Sequence, residues 1–269
     1  MKIRALSAVI ALLLLVTARV PAQTTSFPVD DLREGMVGIG RTVFQGDRLE
    51  EFKVHIVGVL RNVIGTRRNL ILAKLEGGPL ADTGVIAGMS GSPVYIDGRL
   101  VGAVSYSLGQ FSKEPIAGIT PIDEMIDAAT LPDTRLRAAR VELPMPITQE
   151  GLQASLRQAF TWARPFAANA ADVQVLGNPA LNAGIGTMLR PIATPLAMGG
   201  FDATVIDPIA SVFREQGFVP VMAGAMQAAQ NPAAANRPLR PGDPVGVTLM
   251  SGDMELGATG TVTEVAGNR

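Results

Sequence analysis

The spacing of apolar residues predicts that the first half of the chain is rich in β-structure. Within residues 49–60, Phe52, Val54 and Ile56 alternate with Glu51, Lys53 and His55, which is the period of a strand with one buried face. A run rich in glycine and β-branched residues at 36–44 and a short apolar run at 69–75 predict two more strands. We therefore expect one β-unit over residues 23–130.

Helical and strand patterns alternate in the second half. Thr148 is a suitable cap for a helix over residues 149–163, whose apolar stripe we expect to pack on the β-unit. Asp207-Pro208 predicts the start of another helix, which ends near Gly217. A short helix is expected over residues 121–129, after a cap at Thr120. Two last strands, a hairpin, are predicted at residues 245–250 and 257–265.

The N-terminus has the pattern of a secretory signal. A basic start is followed by an apolar run over residues 5–18 and by small residues that predict cleavage near Ala22. This run is short for a bilayer span, although an uncleaved anchor is the alternative. We expect an extracytoplasmic protein, periplasmic or secreted, that is not in the membrane after cleavage. The predicted organisation is a signal peptide (1–22), a β-unit (23–130), a helical and irregular region (131–230) and the start of a second β-unit (231–269).

Composition narrows the classes of function. Apolar residues make up 47% of the chain and charged residues 17%, which is enough for a sizeable core. Removing residues 1–22 takes away three basic residues and no acid, so the net charge becomes more negative than −1. No basic stripe with interleaved aromatics is present, which argues against nucleic acid as a partner. The absence of cysteine excludes disulfides, thiolate catalysis and cysteine metal sites.

A glycine-rich bend holds the strongest candidate for chemistry. Glycines on both sides of a serine allow a sharp turn that exposes the hydroxyl and the neighbouring backbone N–H groups. Two apolar runs separated by Asp97-Gly98 follow, which predicts a tight hairpin with both turn residues at positive φ. The bend reads Gly88-Met89-Ser90-Gly91-Ser92-Pro93.

This bend and its hairpin, with the earlier run Gly46-Asp47-Arg48-Leu49-Glu50-Glu51-Phe52, resemble the SpoIVB peptidase family of serine endopeptidases. The likeness covers residues 29–125. It implies a mainly β protein with added helices, a trypsin-like double β-barrel that is incomplete in this chain. It also implies Ser90 as the nucleophile, backbone N–H groups of Gly88 and Ser90 as the oxyanion hole, a polypeptide substrate and no cofactor.

A serine nucleophile needs a base, and the sequence holds a single histidine, His55. In the family the catalytic histidine lies in a Gly-His motif, which His55 does not match. Two interpretations stay open: a histidine on the outer face of a hairpin, or the base for Ser90. Residues 247–265 resemble the strands that precede the Gly-His motif in longer relatives, so we expect the base beyond Arg269, with the 269 residues forming the front part of a longer protein.

Other candidates for the site are weaker. Glu76 and Asp82 are the nearest carboxylates ahead of the serine, and each is either the acidic member of a triad or a solvated turn residue. Lys74 is either the base of a Ser–Lys dyad or a surface lysine. Trp162 is expected to be a core or interface anchor.

Nucleotide and metal sites are not predicted. Gly35, Gly38 and Gly40 have the wrong spacing for a dinucleotide loop, so packing or a bulge explains them better. Asp243, Asp253 and Glu255 are a possible cation site, but without histidine or alternating oxygen ligands they are better interpreted as turn and surface acids. Two hypotheses for function remain: an exported serine endopeptidase, and a catalytically inactive peptidase-like module that binds polypeptide.

Overall fold

The computed structural model describes residues 25–46, 48–62, 68–108, 114–129, 145–146, 148–159, 174–175, 189–222 and 238–267. The predicted signal peptide, Asp47 and Trp162 lie outside this part of the chain.

Six antiparallel strands form a closed barrel. The order around it is β1, β4, β5, β6, β3 and β2, and β2 pairs again with β1 to close the sheet. The strands are β1 (Val37–Thr42), β2 (Glu50–Arg61), β3 (Leu70–Glu76), β4 (Pro93–Ile96), β5 (Arg99–Leu108) and β6 (Ile116–Pro121). The predicted mainly β fold with a trypsin-like barrel is confirmed by this closure. Two short strands extend it: β7 (Gln174–Val175) pairs with β2, and β8 (Leu189–Pro191) pairs with β5.

The alternation along β2 places its apolar side chains in the barrel core. Phe52, Val54 and Ile56 are buried, whereas Lys53 and Val57 on the other face are exposed. Gly40 of β1 lies where a β-carbon would overlap the Phe52 ring. The packing interpretation of this glycine is therefore confirmed, because only hydrogen at that position leaves room for the ring.

The predicted hairpin after the serine bend is present. Asp97 and Gly98 have φ values of 50° and 73°, so both turn residues are in the left-handed region, as the Asp-Gly pair predicts. β6 was not predicted, because its residues lack a polar alternation: three of its four central residues are buried. A strand covered on both faces gives no period-2 signal.

A second sheet of four strands follows the barrel. Its order is β10, β9, β12 and β11; β9 and β10 are parallel and the other pairs are antiparallel. The strands are β9 (Thr194–Gly199), β10 (Phe218–Met222), β11 (Pro244–Met250) and β12 (Glu255–Thr261). The predicted hairpin of β11 and β12 is confirmed. Thus β9 and β10, from the region expected to be helical and irregular, join the sheet made by the last strands.

Four helices accompany the two sheets in the described residues, besides a 3-10 turn at Val29–Asp31. They are α1 (Leu80–Thr83), α2 (Ile122–Ala129), α3 (Gln149–Ala159) and α4 (Ala203–Glu215). Thr148 caps α3 as predicted, since its Oγ1 accepts a hydrogen bond from the N–H of Gly151 at 3.1 Å. Thr120 does not cap α2, because it belongs to β6 and its hydroxyl pairs with Ser105.

Two further predictions for the helices were wrong. α4 begins at Ala203 rather than at Asp207-Pro208; Asp202 is its cap and accepts from the N–H of Thr204 at 2.9 Å. Leu152 and Leu156 of α3 pack with the second sheet and α4 instead of with the barrel. The apolar stripe predicted that α3 packs on a sheet, but not which sheet.

No helix within the described ranges is long and apolar enough to cross a membrane.

Candidate active site

The serine bend obtains its shape from two glycines. Gly88 has φ +93° and Gly91 has φ +92°, a region that side chains rarely adopt. Ser90 itself lies outside that region and is half-buried. The unusual backbone of the bend therefore lies in its glycines, and not in Ser90.

The backbone N–H groups of the bend fall into two sets. Those of Met89, Gly91 and Ser92 donate to the carbonyls of Ile86, Val104 and Met89, at 3.3, 2.9 and 2.9 Å. The N–H groups of Gly88 and Ser90 donate no hydrogen bond within the part of the chain that the structure describes. The bend therefore keeps available the two donors that flank the serine side chain.

A buried hydroxyl pair connects the bend to the barrel. Ser92 Oγ donates to Thr42 Oγ1 at 3.0 Å, and both residues are fully buried. The N–H of Val104 donates to the carbonyl of Ser92 at 2.9 Å. The C-terminal side of the bend is thus fixed to both β1 and β5.

The last residue of β12 and a residue just beyond it also hold the bend. The N–H of Thr261 donates to the carbonyl of Ser90 at 2.9 Å, and Thr261 Oγ1 donates to the carbonyl of Gly88 at 3.0 Å. Thr263 Oγ1 donates to the carbonyl of Gly91 at 2.7 Å. We call Thr261 and Thr263 the threonine clamp. The clamp and the N–H of Thr261 therefore fix three carbonyls of the bend, those of Gly88, Ser90 and Gly91.

The threonine clamp was missed by sequence reasoning. Its only signal is the spacing of Thr261 and Thr263, which predicts side chains on one face of a strand. About 170 residues separate the clamp from the bend, and a single sequence does not reveal such a long-range contact.

His55 lies on the outer face of the barrel. It occupies the exposed side of β2, and its Nε2 is 2.9 Å from Oε2 of Glu76. This hydrogen bond, with a smaller contribution from Lys53, lowers the pKa of Glu76 below its usual value. Two predicted candidates, His55 and Glu76, are thus hydrogen bonded to each other, and not to Ser90.

Lys74 and Asp82 are placed in other surroundings. Lys74 Nζ donates to Glu114 Oε1 at 3.0 Å in an ion pair whose side chains are about half exposed. Asp82 is exposed on the short helix α1. Ser90 Oγ makes no hydrogen bond to any of these four candidates among the described residues.

A cavity of about 220 Å³ lies beside the bend. One wall is the run of residues 83–87 that leads into Gly88, and the other is formed by the ends of β5 and β6, at Ser107, Leu108 and residues 114–116. Val85 and Ile86 also pack against the barrel core. The cavity therefore lies against the segment that leads into the bend.

Comparison with known proteins gives one match. The model of the family described as SpoIVB peptidase S55 matches residues 21–126, which include β1–β6 and the serine bend. The resemblance predicted from the bend is confirmed, and the match supports a peptidase of the serine type. Searches against curated proteins and against solved structures gave no match.

Proposed function

We propose, from the premise that residues 21–126 are a SpoIVB-type peptidase unit, that the protein is an exported serine endopeptidase with Ser90 as its nucleophile. One observation carries the proposal: the N–H groups of Gly88 and Ser90 are the two donors of the bend without a partner among the described residues, and they flank the serine.

The chemistry follows from this arrangement. Ser90 Oγ attacks the carbonyl carbon of a peptide bond and gives its proton to a base, while the carbonyl oxygen becomes negatively charged. The N–H groups of Gly88 and Ser90 donate to that oxygen, and one such donor contributes roughly 10²–10³ in kcat. The amine leaves with a proton, and water then hydrolyses the acyl–serine ester.

The base in this proposal comes from outside the 269 residues. His55 is the sole histidine and is hydrogen bonded to Glu76 on the outer barrel face. Lys74 is ion-paired with Glu114. Neither is bonded to Ser90 within the described ranges, so a histidine from another segment is the simplest source.

The same facts favour a second candidate function. Without a base, the bend and its neighbouring cavity still bind an extended polypeptide, and the protein is then a peptidase-like binding module. The two candidates share the site and differ in whether Ser90 is activated.

Digestion of a fluorescently labelled, unfolded polypeptide by the natural gene product separates them. We expect cleavage by the wild type and none by Ser90→Ala. Ser251→Ala, which changes an exposed serine in the loop between β11 and β12, is the matched control and should cleave normally. Binding of the polypeptide without cleavage would support the binding module, and cleavage that survives Ser90→Ala would exclude Ser90 as nucleophile.

Export is proposed from the pattern of residues 1–22. N-terminal sequencing of the protein recovered outside the cytoplasm should find a start near Gln23. Recovery in the cytoplasm with residue 1 intact would contradict export.

A further inference from the structure

β5 is longer than β4, its neighbour on one edge. On that side β4 and the bend continue the pairing up to Val104, whose carbonyl accepts from Gly91 and whose N–H donates to Ser92. Residues 105–108 extend the same edge beyond the bend, while β6 covers the other edge. A peptide added to residues 105–108 would therefore run directly into the Ser90 bend.

The chain's own residues 189–192 occupy this edge. β8 pairs with β5 in antiparallel register, with Pro191 opposite Tyr106, Arg190 opposite Ser107 and Leu189 opposite Leu108. The N–H of Ile192 donates to the carbonyl of Ser105 at 2.9 Å.

After Ile192 the chain passes the serine bend. The Pro195 ring comes within 3.9 Å of the position that a β-carbon on Gly88 would take. The segment of residues 189–195 thus pairs with the edge of β5 at one end and reaches Gly88 of the bend at the other.

Two side chains anchor this segment. Leu189 and Ile192 are only 6% and 5% exposed, and Ile192 belongs to the barrel-core cluster that contains Met89 of the bend. Arg190 and Pro191 between them are exposed. The segment therefore combines backbone pairing with buried aliphatic side chains, which is how a strand-adding peptide obtains affinity and specificity.

On the premise that extended polypeptide reaches Ser90 along residues 105–108, as the proposed function requires, we propose that residues 189–192 fill this edge as an internal, substrate-like strand, which a substrate must displace. The inference rests on the proposed function, because both candidate functions use this edge. The peptide preferred at this edge has an aliphatic residue opposite Ser105, the position that Ile192 occupies in the internal strand.

The energetic balance allows displacement. The paired part is three residues long, so it offers few hydrogen bonds. Its advantage over an external peptide is covalent attachment, which corresponds to an effective concentration on the order of millimolar for a short flexible connection. A peptide with better side-chain contacts shifts the population toward the open edge.

A disulfide can lock the internal strand. Ser107 and Arg190 are cross-strand neighbours and the chain contains no cysteine, so Ser107→Cys with Arg190→Cys can form a single, reducible bridge. The test uses the 269-residue chain in a Ser90→Ala background and measures anisotropy of a fluorescein-labelled peptide, Leu-Arg-Pro-Ile-Ala-Thr, the sequence of residues 189–194.

We expect the reduced double variant to bind the peptide at least about tenfold more tightly than the oxidised one, because the bridge raises the effective concentration of the internal strand. Ser107→Cys alone should show no dependence on redox state. Ile192→Asp, which removes the aliphatic anchor, should strengthen binding of the peptide. Equal affinity in the two redox states, or no binding in either, would overturn the inference.

This readout is independent of catalysis, since the Ser90→Ala background has no nucleophile. If redox-dependent binding is found but the natural protein never cleaves, the peptidase proposal fails and the internal strand stands. If the natural protein cleaves but peptide binding does not depend on the disulfide, the internal-strand proposal fails and the peptidase proposal stands.

Discussion

At the residue scale, Ser90 is defined by the hydrogen bonds of its neighbours. The N–H groups of Met89, Gly91 and Ser92 donate hydrogen bonds that hold the bend in shape. Those of Gly88 and Ser90 donate none among the described residues. The threonine clamp holds the carbonyls on the other side. Since a donor stabilises an oxyanion only when it is fixed in place, the clamp is expected to matter for activity without contacting a substrate.

Thr261→Val tests this. Valine keeps the shape and the backbone N–H but removes the hydroxyl that donates to Gly88, which should cost about 1 kcal/mol of unfolding free energy and lower kcat more than KM changes. Thr259→Val, at an exposed position of β12, is the control. Urea unfolding and peptide hydrolysis measure the two effects. Equal kinetics of Thr261→Val and wild type would show that the clamp does not position the bend.

His55→Gln tests the placement of the histidine. The hydrogen bond from His55 lowers the pKa of Glu76 below 4.5, so removing the ring should raise that pKa, as an NMR titration of the Glu76 carboxyl can show. When folding lowers the pKa of a carboxyl, its ionised form stabilises the folded state at pH values above the pKa of the unfolded chain. This stabilisation is lost as pH falls through the pKa of the folded state. The wild type should therefore lose more stability than His55→Gln as pH falls through the lowered pKa of Glu76.

The same variant should leave the reaction of Ser90 unchanged. Loss of that reaction in His55→Gln, with Glu76→Gln unaffected, would make His55 the base and contradict its role as an outer-face residue.

At the scale of elements, the sequence predicts what depends on local pattern. The alternation in β2, the Asp97-Gly98 turn and the cap at Thr148 are all present. β6 is buried on both faces and has no alternation, and β8 has only three residues, so neither gives a periodic signal. Of the site, Ser90 and its glycines are recognisable from the motif, but the clamp depends on a contact between distant segments.

Contact between the bend and the end of β12 can be measured with a pair of glycines. Gly91 and Gly98 both have positive φ, so alanine at either should cost about 1–3 kcal/mol in backbone strain. Only at Gly91 would the new β-carbon overlap the carbonyl of Thr261, whereas Gly98 has open space around it. Gly91→Ala should therefore destabilise more, by about another 1–3 kcal/mol in urea unfolding. Equal losses would mean that β12 does not press on the bend.

At the scale of the whole molecule, the barrel and the second sheet meet at Ser90. The barrel provides the bend through β4 and β5, and the end of β12 with Thr263 provides the clamp. Residues 189–195 connect the two sheets and cross the bend on the way. The site is thus assembled from segments far apart in sequence.

The most direct measurement is the site of reaction with a fluorophosphonate probe in the natural gene product, mapped by mass spectrometry of peptides. We expect the adduct on Ser90, absent from Ser90→Ala and unchanged in Ser251→Ala. An adduct on another residue, or an equal yield in Ser90→Ala, would contradict the assignment of Ser90 as the nucleophile.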